Sequence, residues 1–227
     1  MGHAPENTLL SFRKALELGA PCVEADVYNV DGNLMVFHDD RLERTTNGSG
    51  YLLDHDFDYL RSLDAGNGER IPTLGEVFET VDLRAGVNIE LKGPGTARPV
   101  VEFISTLRKY GWRDDLILVS SFKHRELEEV RRIDPRIRLG VLVAGLPMDD
   151  AAFAAELGAY SVHLSLKSVK RKFVDDAHSR GLRVFVFTVN NPKDIRRMEG
   201  FGVDGVFTNY PERILQHQKT GGAIGWV

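Results

Sequence analysis

Short β-branched apolar runs alternate with longer amphipathic stretches along this chain. From about residue 82 onward the alternation is regular. Period-2 or continuous apolar runs predict strands, and apolar residues spaced three and four apart predict helices. The predicted strands are 87–91, 116–120, 139–143, 161–164, 184–189 and 205–208, and the predicted helices are 100–110, 125–133, 151–157, 169–180, 194–200 and 211–218. Repeated strand–helix units predict a parallel sheet with helices packed on its faces.

The first 81 residues follow a different order. A helix is predicted over 8–18 and ends at Gly19, and a strand follows over 22–27. The turn Asp31-Gly32-Asn33 separates this strand from a second apolar run at 34–37. Parallel strands need a crossover of a dozen or more residues, so this short connection predicts an antiparallel hairpin.

Residues 42–81 interrupt the alternation with polar, turn-rich sequence. Short helices are predicted here at 57–63 and 73–81. The segment is interpreted as a small insertion that is too short to have a core of its own. The chain is therefore predicted to be a single domain over 1–227.

The strand count favours one architecture. Residues 22–27 and the six later runs give seven parallel strands, whereas a closed (β/α)8 TIM-type barrel has eight. The predicted fold class is α/β, a (β/α)8 TIM-type barrel with a small insertion after the hairpin. One parallel strand of the barrel is therefore unaccounted for.

Composition and charge narrow the range of partners. Lys plus Arg number 29 and Asp plus Glu 33, a net charge of −4, so the chain lacks the basic surplus of a nucleic-acid binder. No apolar stretch approaches the roughly 20 residues of a membrane span, and no secretory signal is visible. The one cysteine, Cys22, suits a reducing compartment. These features predict a soluble, cytoplasmic protein without stable membrane insertion; self-association into a homo-oligomer is left open.

Charged residues stand where predicted strands end, which is where barrels of this kind carry their functional groups. Glu24 and Asp26 are two positions apart, so both side chains leave the strand on one face, and the same holds for Glu90 and Lys92. Three carboxylates without a Cys or His cluster suit Mg²⁺ or Ca²⁺ better than Zn²⁺. The alternative interpretation is a set of salt bridges around Lys92.

Two histidines are also placed at predicted strands. His38 follows the second arm of the hairpin and precedes two aspartates, an arrangement that suits general acid–base catalysis; a hydrogen-bonded structural histidine is the alternative. His163 is expected to face inward, either as a core residue or as part of the site. The sequences HExxH, CxxC, GxSxG and GxxxxGK[ST] do not occur, which excludes the common zinc, nucleophile-elbow and Walker A sites.

An ordered series of motifs resembles the glycerophosphodiester phosphodiesterase family over nearly the whole chain. The motifs are Ala4-Pro5-Glu6-Asn7-Thr8-Leu9, Glu24-Ala25-Asp26-Val27, Val36-Phe37-His38-Asp39, Arg44-Thr45-Thr46, Ile71-Pro72-Thr73-Leu74, Asn88-Ile89-Glu90-Leu91-Lys92, Ser120-Ser121-Phe122, Phe187-Thr188-Val189-Asn190 and Asp204-Gly205-Val206-Phe207-Thr208-Asn209-Tyr210-Pro211.

The resemblance implies a (β/α)8 barrel that hydrolyses glycerophosphodiesters, small-molecule substrates, to sn-glycerol 3-phosphate and an alcohol in glycerophospholipid catabolism. It implies one divalent cation, Mg²⁺ or Ca²⁺, held by Glu24, Asp26 and Glu90. His38 then corresponds to one of two acid–base histidines, Lys92 to a catalytic and phosphate-binding residue, and Phe187 to an apolar wall for the glycerol carbons.

The chain departs from the family at its start. The family's His-Arg-Gly triplet, at the end of its first strand, has no counterpart before Met1. That segment would supply the eighth strand, the second histidine and a phosphate-binding arginine. Three interpretations are open: the chain is truncated, its true start lies upstream, or it is a degraded homologue. The alternatives are a related phospholipase D-type barrel acting on lysolipids, which the polar insertion does not favour, and a non-catalytic phosphoester-binding homologue.

Overall fold

A computed structural model describes residues 2–145, 151–222 and 224 of the chain. The outermost residues of the predicted domain, Met1 and 225–227, lie outside the described residues, as do 146–150 and 223. Within the described residues, no helix is both long enough and apolar enough to cross a lipid bilayer.

Strands and helices alternate in the predicted order. The strands are β1 Cys22–Val30, β2 Asn33–Val36, β3 Gly86–Leu91, β4 Ile117–Ser121, β5 Arg138–Val143, β6 Ser161–Ser165, β7 Arg183–Phe187 and β8 Gly205–Val206. The α-helices are α1 Leu9–Glu17, α2 Phe57–Ser62, α3 Leu74–Val81, α4 Ala97–Lys109, α5 His124–Ile133, α6 Ala152–Glu156, α7 Arg171–Ser179, α8 Pro192–Phe201 and α9 Pro211–Lys219. Single 3₁₀ turns occur at Leu52–Asp54 and Asp114–Leu116.

The strands form one curled sheet in the order β2-β1-β3-β4-β5-β6-β7-β8. β1 pairs with β2 antiparallel, which confirms the hairpin, and β1 and β3 to β8 pair in parallel, which confirms the seven parallel strands. Among the described residues, β8 pairs with no strand other than β7, and the only strand that β2 pairs with is the distal half of β1. The first half of β1 pairs with β3 on one edge, and its other edge and the outer edge of β8 have no described strand beside them.

Helix starts follow local sequence signals. Thr8 caps α1, and Thr73 caps α3 in a capping box: its side chain accepts a hydrogen bond from Glu76 N, and the Glu76 carboxylate accepts one from Thr73 N. At α8, Asn191 is the cap and Pro192 occupies the first turn, where its missing N–H costs nothing.

Some predicted boundaries were wrong by a few residues. β1 runs to Val30 rather than 27, because its last residues pair with β2 beyond the parallel part of the sheet. β7 ends at Phe187 and β8 at Val206, so the polar residues that follow each strand belong to loops. Loops at the carboxyl ends of parallel strands are where this fold exposes functional groups.

The main core lies between the sheet and its helices, and its centre is rich in Val, Ile and Leu. A second apolar cluster lies under residues 42–81. Its members come from the hairpin and from the insertion together: Tyr28, Val30, Met35, Phe37, Leu42, Leu52, Leu60, Leu63, Ala65 and Ile71. The second face of the hairpin supplies the apolar surface that the insertion alone lacks.

The insertion also exposes large apolar side chains that its polar composition does not predict. Tyr51 is 49% exposed, Leu53 50% and Tyr59 37%.

Candidate active site

Three carboxylates meet near the end of the parallel pairing between β1 and β3. Asp26 and Glu90 are register partners on the two neighbouring strands, and Glu24 lies two residues before Asp26 on the same face. One carboxylate oxygen from each of the three residues lies within 4.8 Å of the others. The structure therefore brings together the three residues that the spacing selected.

Lys92 lies directly against this carboxylate cluster. Its Nζ is 2.9 Å from Glu90 Oε1 and 3.3 Å from Asp26 Oδ1. The backbone N–H of Lys92 donates to Val27 O, which fixes the residue one step beyond β3. The salt bridges of the alternative interpretation are thus present, but they involve two of the three carboxylates.

Glu24 is the one carboxyl group of the cluster with which Lys92 forms no salt bridge among the described residues. Burial raises the pKa of Glu24 well above its usual range, and the nearby Asp26 and Glu90 charges raise it further. Burial, followed by repulsion from Asp26, also raises the pKa of Glu90. Burial alone would lower the pKa of Lys92, but attraction to Asp26 and Glu90 outweighs it and raises that pKa.

The donor set fits a hard divalent cation. Glu24 Oε1 is buried and has no hydrogen-bond partner. Three carboxylates and one ammonium leave a net charge of about −2 in a largely buried space, and such charge is costly unless it is paired or bound to a metal. Oxygen ligands of this kind suit Mg²⁺ or Ca²⁺.

Asn7 also contacts the cluster, although the spacing of the charged residues does not predict it. Its Nδ2 donates to Asp26 Oδ2 at 2.9 Å. Asn7 has φ +53°, a left-handed conformation that Asn tolerates better than most residues. Its position directly before the cap Thr8, in the segment Pro5-Glu6-Asn7-Thr8, is the sequence signal that could have identified it.

His38 lies on the wall of the same cavity. The Phe37 N–H donates to Asp26 O, which extends the hairpin pairing one residue past β2 and places His38 beside the middle of β1, next to Asp26. The His38 side chain is half exposed, and its Nδ1 lies 2.6 Å from Asp39 Oδ1. A histidine at a cavity wall with one ring nitrogen held by a carboxylate can transfer protons through the other.

One cavity of about 590 Å³ joins these groups. Beside the carboxylates, Lys92 and His38, it is lined by the apolar side chains of Phe122, Leu142 and Phe187. The rings of Phe122 and Phe187 meet edge to face with centroids 5.9 Å apart. Phe187 lines the cavity, as the family resemblance implies for an apolar wall. Phe122 belongs to the motif Ser120-Ser121-Phe122, for which no site role was predicted.

The cavity extends away from the carboxylates into the space between β8 and β1. Side chains of α1 and α9 line this part, together with Val206 and Val23 on the two strands that flank it. His3 also lines the cavity, where its Nε2 is 3.1 Å from Glu212 Oε1. This region coincides with the break in the parallel sheet.

His163 is not among the described residues that line the cavity. It is fully buried inside the curl of the sheet, its Nε2 is 2.9 Å from Ser161 Oγ, and its ring packs against Phe185 and Phe207. Burial lowers its pKa to about 3, so the ring is neutral. Its position is that of a core residue, the first of the two expectations.

Comparisons with known proteins agree with one another. A model of the "Glycerophosphoryl diester phosphodiesterase family" matches residues 1–213. A glycerophosphodiester phosphodiesterase of Caldanaerobacter subterraneus subsp. tengcongensis is 36% identical over 97% of this chain and 95% of its own length. A human lysophospholipase D is 25% identical over 94% of this chain and 82% of its own. An Oleispira antarctica phosphodiesterase, solved in complex with the product sn-glycerol-3-phosphate, superposes with a TM-score of 0.88, at 32% identity over 96% of this chain and 93% of that one.

Proposed function

This chain belongs to the glycerophosphoryl diester phosphodiesterase family, and we propose that it hydrolyses glycerophosphodiesters to sn-glycerol 3-phosphate and an alcohol in a divalent-cation-dependent reaction of glycerophospholipid breakdown. The observation that carries the proposal is the meeting of Glu24, Asp26 and Glu90 with Lys92 and His38 at one cavity. A phosphodiester is an anion, so its binding site needs positive charge. Here that charge comes from Lys92 and from a cation for which the carboxylates are suited.

Glu24, Asp26 and Glu90 would hold the cation, Mg²⁺ or Ca²⁺. When bound, it supplies positive charge that stabilises the negative charge developing on the phosphoryl oxygens. Asn7 keeps Asp26 in place through its amide, and Lys92 already neutralises part of the cluster. Lys92 would also contact the phosphate, where its ammonium stabilises the transition-state charge.

His38 would transfer a proton to the departing oxygen. Hydrolysis forms a bond between a water oxygen and phosphorus and breaks the P–O bond to the alcohol. The attacking water gives up a proton, and the departing oxygen keeps the electron pair of the broken bond and takes up a proton. The ring nitrogen of His38 that does not contact Asp39, Nε2, is the one available to give that proton. Proton transfer of this kind contributes roughly 10²- to 10⁴-fold to a rate.

Phe187 would form the apolar wall against the carbons of the substrate. Its edge-to-face contact with Phe122 fixes the two rings relative to each other and extends the wall. A rigid apolar wall opposite charged groups orients a substrate that has a carbon skeleton at one end and a phosphate at the other.

Hydrolysis of glycerophosphocholine by the purified chain, with Mg²⁺, Ca²⁺ or a chelator, tests the proposal. We expect release of glycerol 3-phosphate that depends on the added cation and is lost in Glu24→Gln. Equal turnover in chelator and in cation would overturn the metal assignment. The absence of turnover with any glycerophosphodiester would overturn the proposed activity.

Exposed apolar residues of the insertion support a second candidate, hydrolysis of lysolipids. Tyr51, Leu53 and Tyr59 are exposed side chains of residues 42–81 outside the cavity lining, and the human relative is a lysophospholipase D. The double variant Tyr51→Ser, Leu53→Ser would lower the rate on lysophosphatidylcholine and leave the rate on glycerophosphocholine unchanged. Equal rates on the lysolipid in both proteins would exclude this role of the insertion.

The space between β8 and β1 suggests how the barrel would close. We propose that an extended apolar segment placed there supplies the eighth parallel strand, pairing with the outer edge of β8 and the first half of β1. The cavity at this place and the absence of a pairing partner on either flanking edge, within the described residues, support the proposal. A segment of about 5–6 residues spans a strand of typical length.

A further inference from the structure

Arg44 connects two carboxylates on either side of the site. Its Nε and Nη2 donate to Asp39 at 2.5 and 2.9 Å. Its Nη1 donates to Glu6 Oε2 at 2.9 Å, and its Nη2 donates to the other oxygen of Glu6. One guanidinium thus makes two forked contacts, the geometry in which arginine binds carboxylates with the greatest directional specificity.

Asp39 in turn determines which nitrogen of His38 carries a proton. The hydrogen bonds from Arg44 lower the pKa of Asp39 to about 2, more than burial raises it, so its carboxylate is ionised and can only accept hydrogen bonds. His38 Nδ1, 2.6 Å from Asp39 Oδ1, must therefore be the donor. This leaves Nε2 as the nitrogen that gains and loses a proton.

We propose that Asp39 and Arg44 are positioning residues for the reaction: Asp39 holds the His38 ring in the Nδ1–H tautomer with Nε2 free, and Arg44 holds Asp39 by bridging it to Glu6. The inference rests on the proposed proton transfer by His38. Neither residue needs to touch the substrate.

The contact of Arg44 with Glu6 restricts the positions of Asp39 and His38. Glu6 is largely buried, with a side chain 13% exposed, and it precedes Asn7, which holds Asp26. The segment before α1 therefore fixes His38 through Arg44 on one side and the carboxylate cluster through Asn7 on the other. A half-exposed histidine on a loop would otherwise sample several ring orientations.

The tautomer of His38 can be measured by ¹⁵N NMR of the ring nitrogens in the free protein, with His38 assigned from its loss in His38→Gln. In the wild type, at a pH where the ring is neutral, we expect protonated Nδ1 and unprotonated Nε2. In Asp39→Ala we expect a shift toward protonated Nε2. A wild-type His38 with protonated Nε2, or an unchanged tautomer in Asp39→Ala, would overturn the proposal.

Kinetics provide the second measurement. Asp39→Ala is expected to lower kcat by about 10- to 100-fold, the scale typical of carboxylates that orient a functional histidine, with KM changed by less than about twofold. Arg44→Met should lower kcat in the same direction, and Arg44→Lys should recover part of it. If Asp39→Ala does not fold, the tautomer and kcat of Arg44→Met decide the question.

Arg41→Met is the matched control, because Arg41 is an exposed arginine of the same loop that pairs with Glu43 and not with Asp39. Its kcat and its His38 tautomer should equal those of the wild type. An unchanged kcat in both Asp39→Ala and Arg44→Met would overturn the positioning role. A wild type without hydrolysis would instead contradict the proposed function, because the tautomer is measured without substrate.

Discussion

Lys92 Nζ lies 2.9 Å from Oε1 of Glu90, the residue two positions before it on the same strand end. The same ammonium is 3.3 Å from Asp26 Oδ1, so one positive charge serves two carboxylates. The third carboxylate, Glu24, has a buried oxygen without a partner. One ammonium therefore does not compensate three carboxyl groups, and a bound cation would supply further positive charge.

The thermal stability of the protein should rise with Mg²⁺ or Ca²⁺. At about 100 times the dissociation constant, a ligand that binds only the folded state adds about 2.7 kcal/mol, which corresponds to a Tm increase of about 5–10 °C for a chain of this size. Glu24→Gln should abolish the increase. Glu79→Gln, which changes an exposed glutamate, should retain it. Equal shifts in wild type and Glu24→Gln would show that the cation binds elsewhere.

Replacing Lys92 by Met should destabilise the protein without cation more than the protein with cation. Asp26 and Glu90 lose their shared counter-charge, and breaking a buried ion pair typically costs about 3–5 kcal/mol. A bound cation replaces part of that charge, so the Tm increase on adding Mg²⁺ or Ca²⁺ should be larger in Lys92→Met than in the wild type. A smaller increase would mean that Lys92 and the cation do not neutralise the same carboxylates. Turnover should fall as well, through weaker phosphate binding.

His38→Ala should lower kcat on glycerophosphocholine by about 10²-fold or more, because the leaving oxygen loses its proton donor. The metal-induced Tm increase should be unchanged, since His38 does not belong to the carboxylate cluster. His178→Ala, a change at a partly exposed histidine outside the cavity lining, serves as the control and should keep the wild-type kcat. A near-normal kcat in His38→Ala would refute its role in proton transfer.

The buried ring of His163 should make folding stability depend on pH. Its pKa is about 3 in the folded protein and about 6.5 in the unfolded chain, so between these values the unfolded state binds more protons. Stability is therefore lost as pH falls below about 6.5, by about 2 kcal/mol at pH 5 relative to pH 7. Urea unfolding at the two pH values measures the loss.

His163→Gln cannot take up this proton, so its stability should change by about 2 kcal/mol less between pH 7 and pH 5. His55→Gln removes a histidine of a surface loop and should behave as the wild type. The same pH dependence in wild type and His163→Gln would mean that other groups account for the acid sensitivity.

Adding a strand should stabilise the protein. An extension of about 10 residues, an apolar segment that ends in the family's His-Arg-Gly triplet, joined to the amino end of this chain would pair with the free edges of β8 and β1. We expect a higher Tm, less self-association and faster hydrolysis of glycerophosphocholine. An extension of the same length made of Gly and Ser is the control. Equal Tm, oligomer size and activity in the two extended proteins would refute strand closure.

Local sequence determined the elements and the face of β1 on which Glu24 and Asp26 lie. The Asp31-Gly32 turn allowed only a hairpin, Thr73 with Glu76 marked the start of α3, and the two-residue spacing of Glu24 and Asp26 placed both carboxylates on one face. These features depend on backbone periodicity and on hydrogen bonds between residues a few positions apart. They can therefore be derived from the order of residue types.

The tertiary structure alone decided the contacts between distant segments. Arg44 reaches Glu6 across 38 positions and Asn7 reaches Asp26 across 19, and neither contact follows from any local period. The second apolar cluster likewise needed the hairpin face to lie against the insertion. The residue types determine which groups can bind one another. The packing of the segments determines which of these pairs meet, because only a folded chain fixes the direction and distance between side chains far apart in sequence.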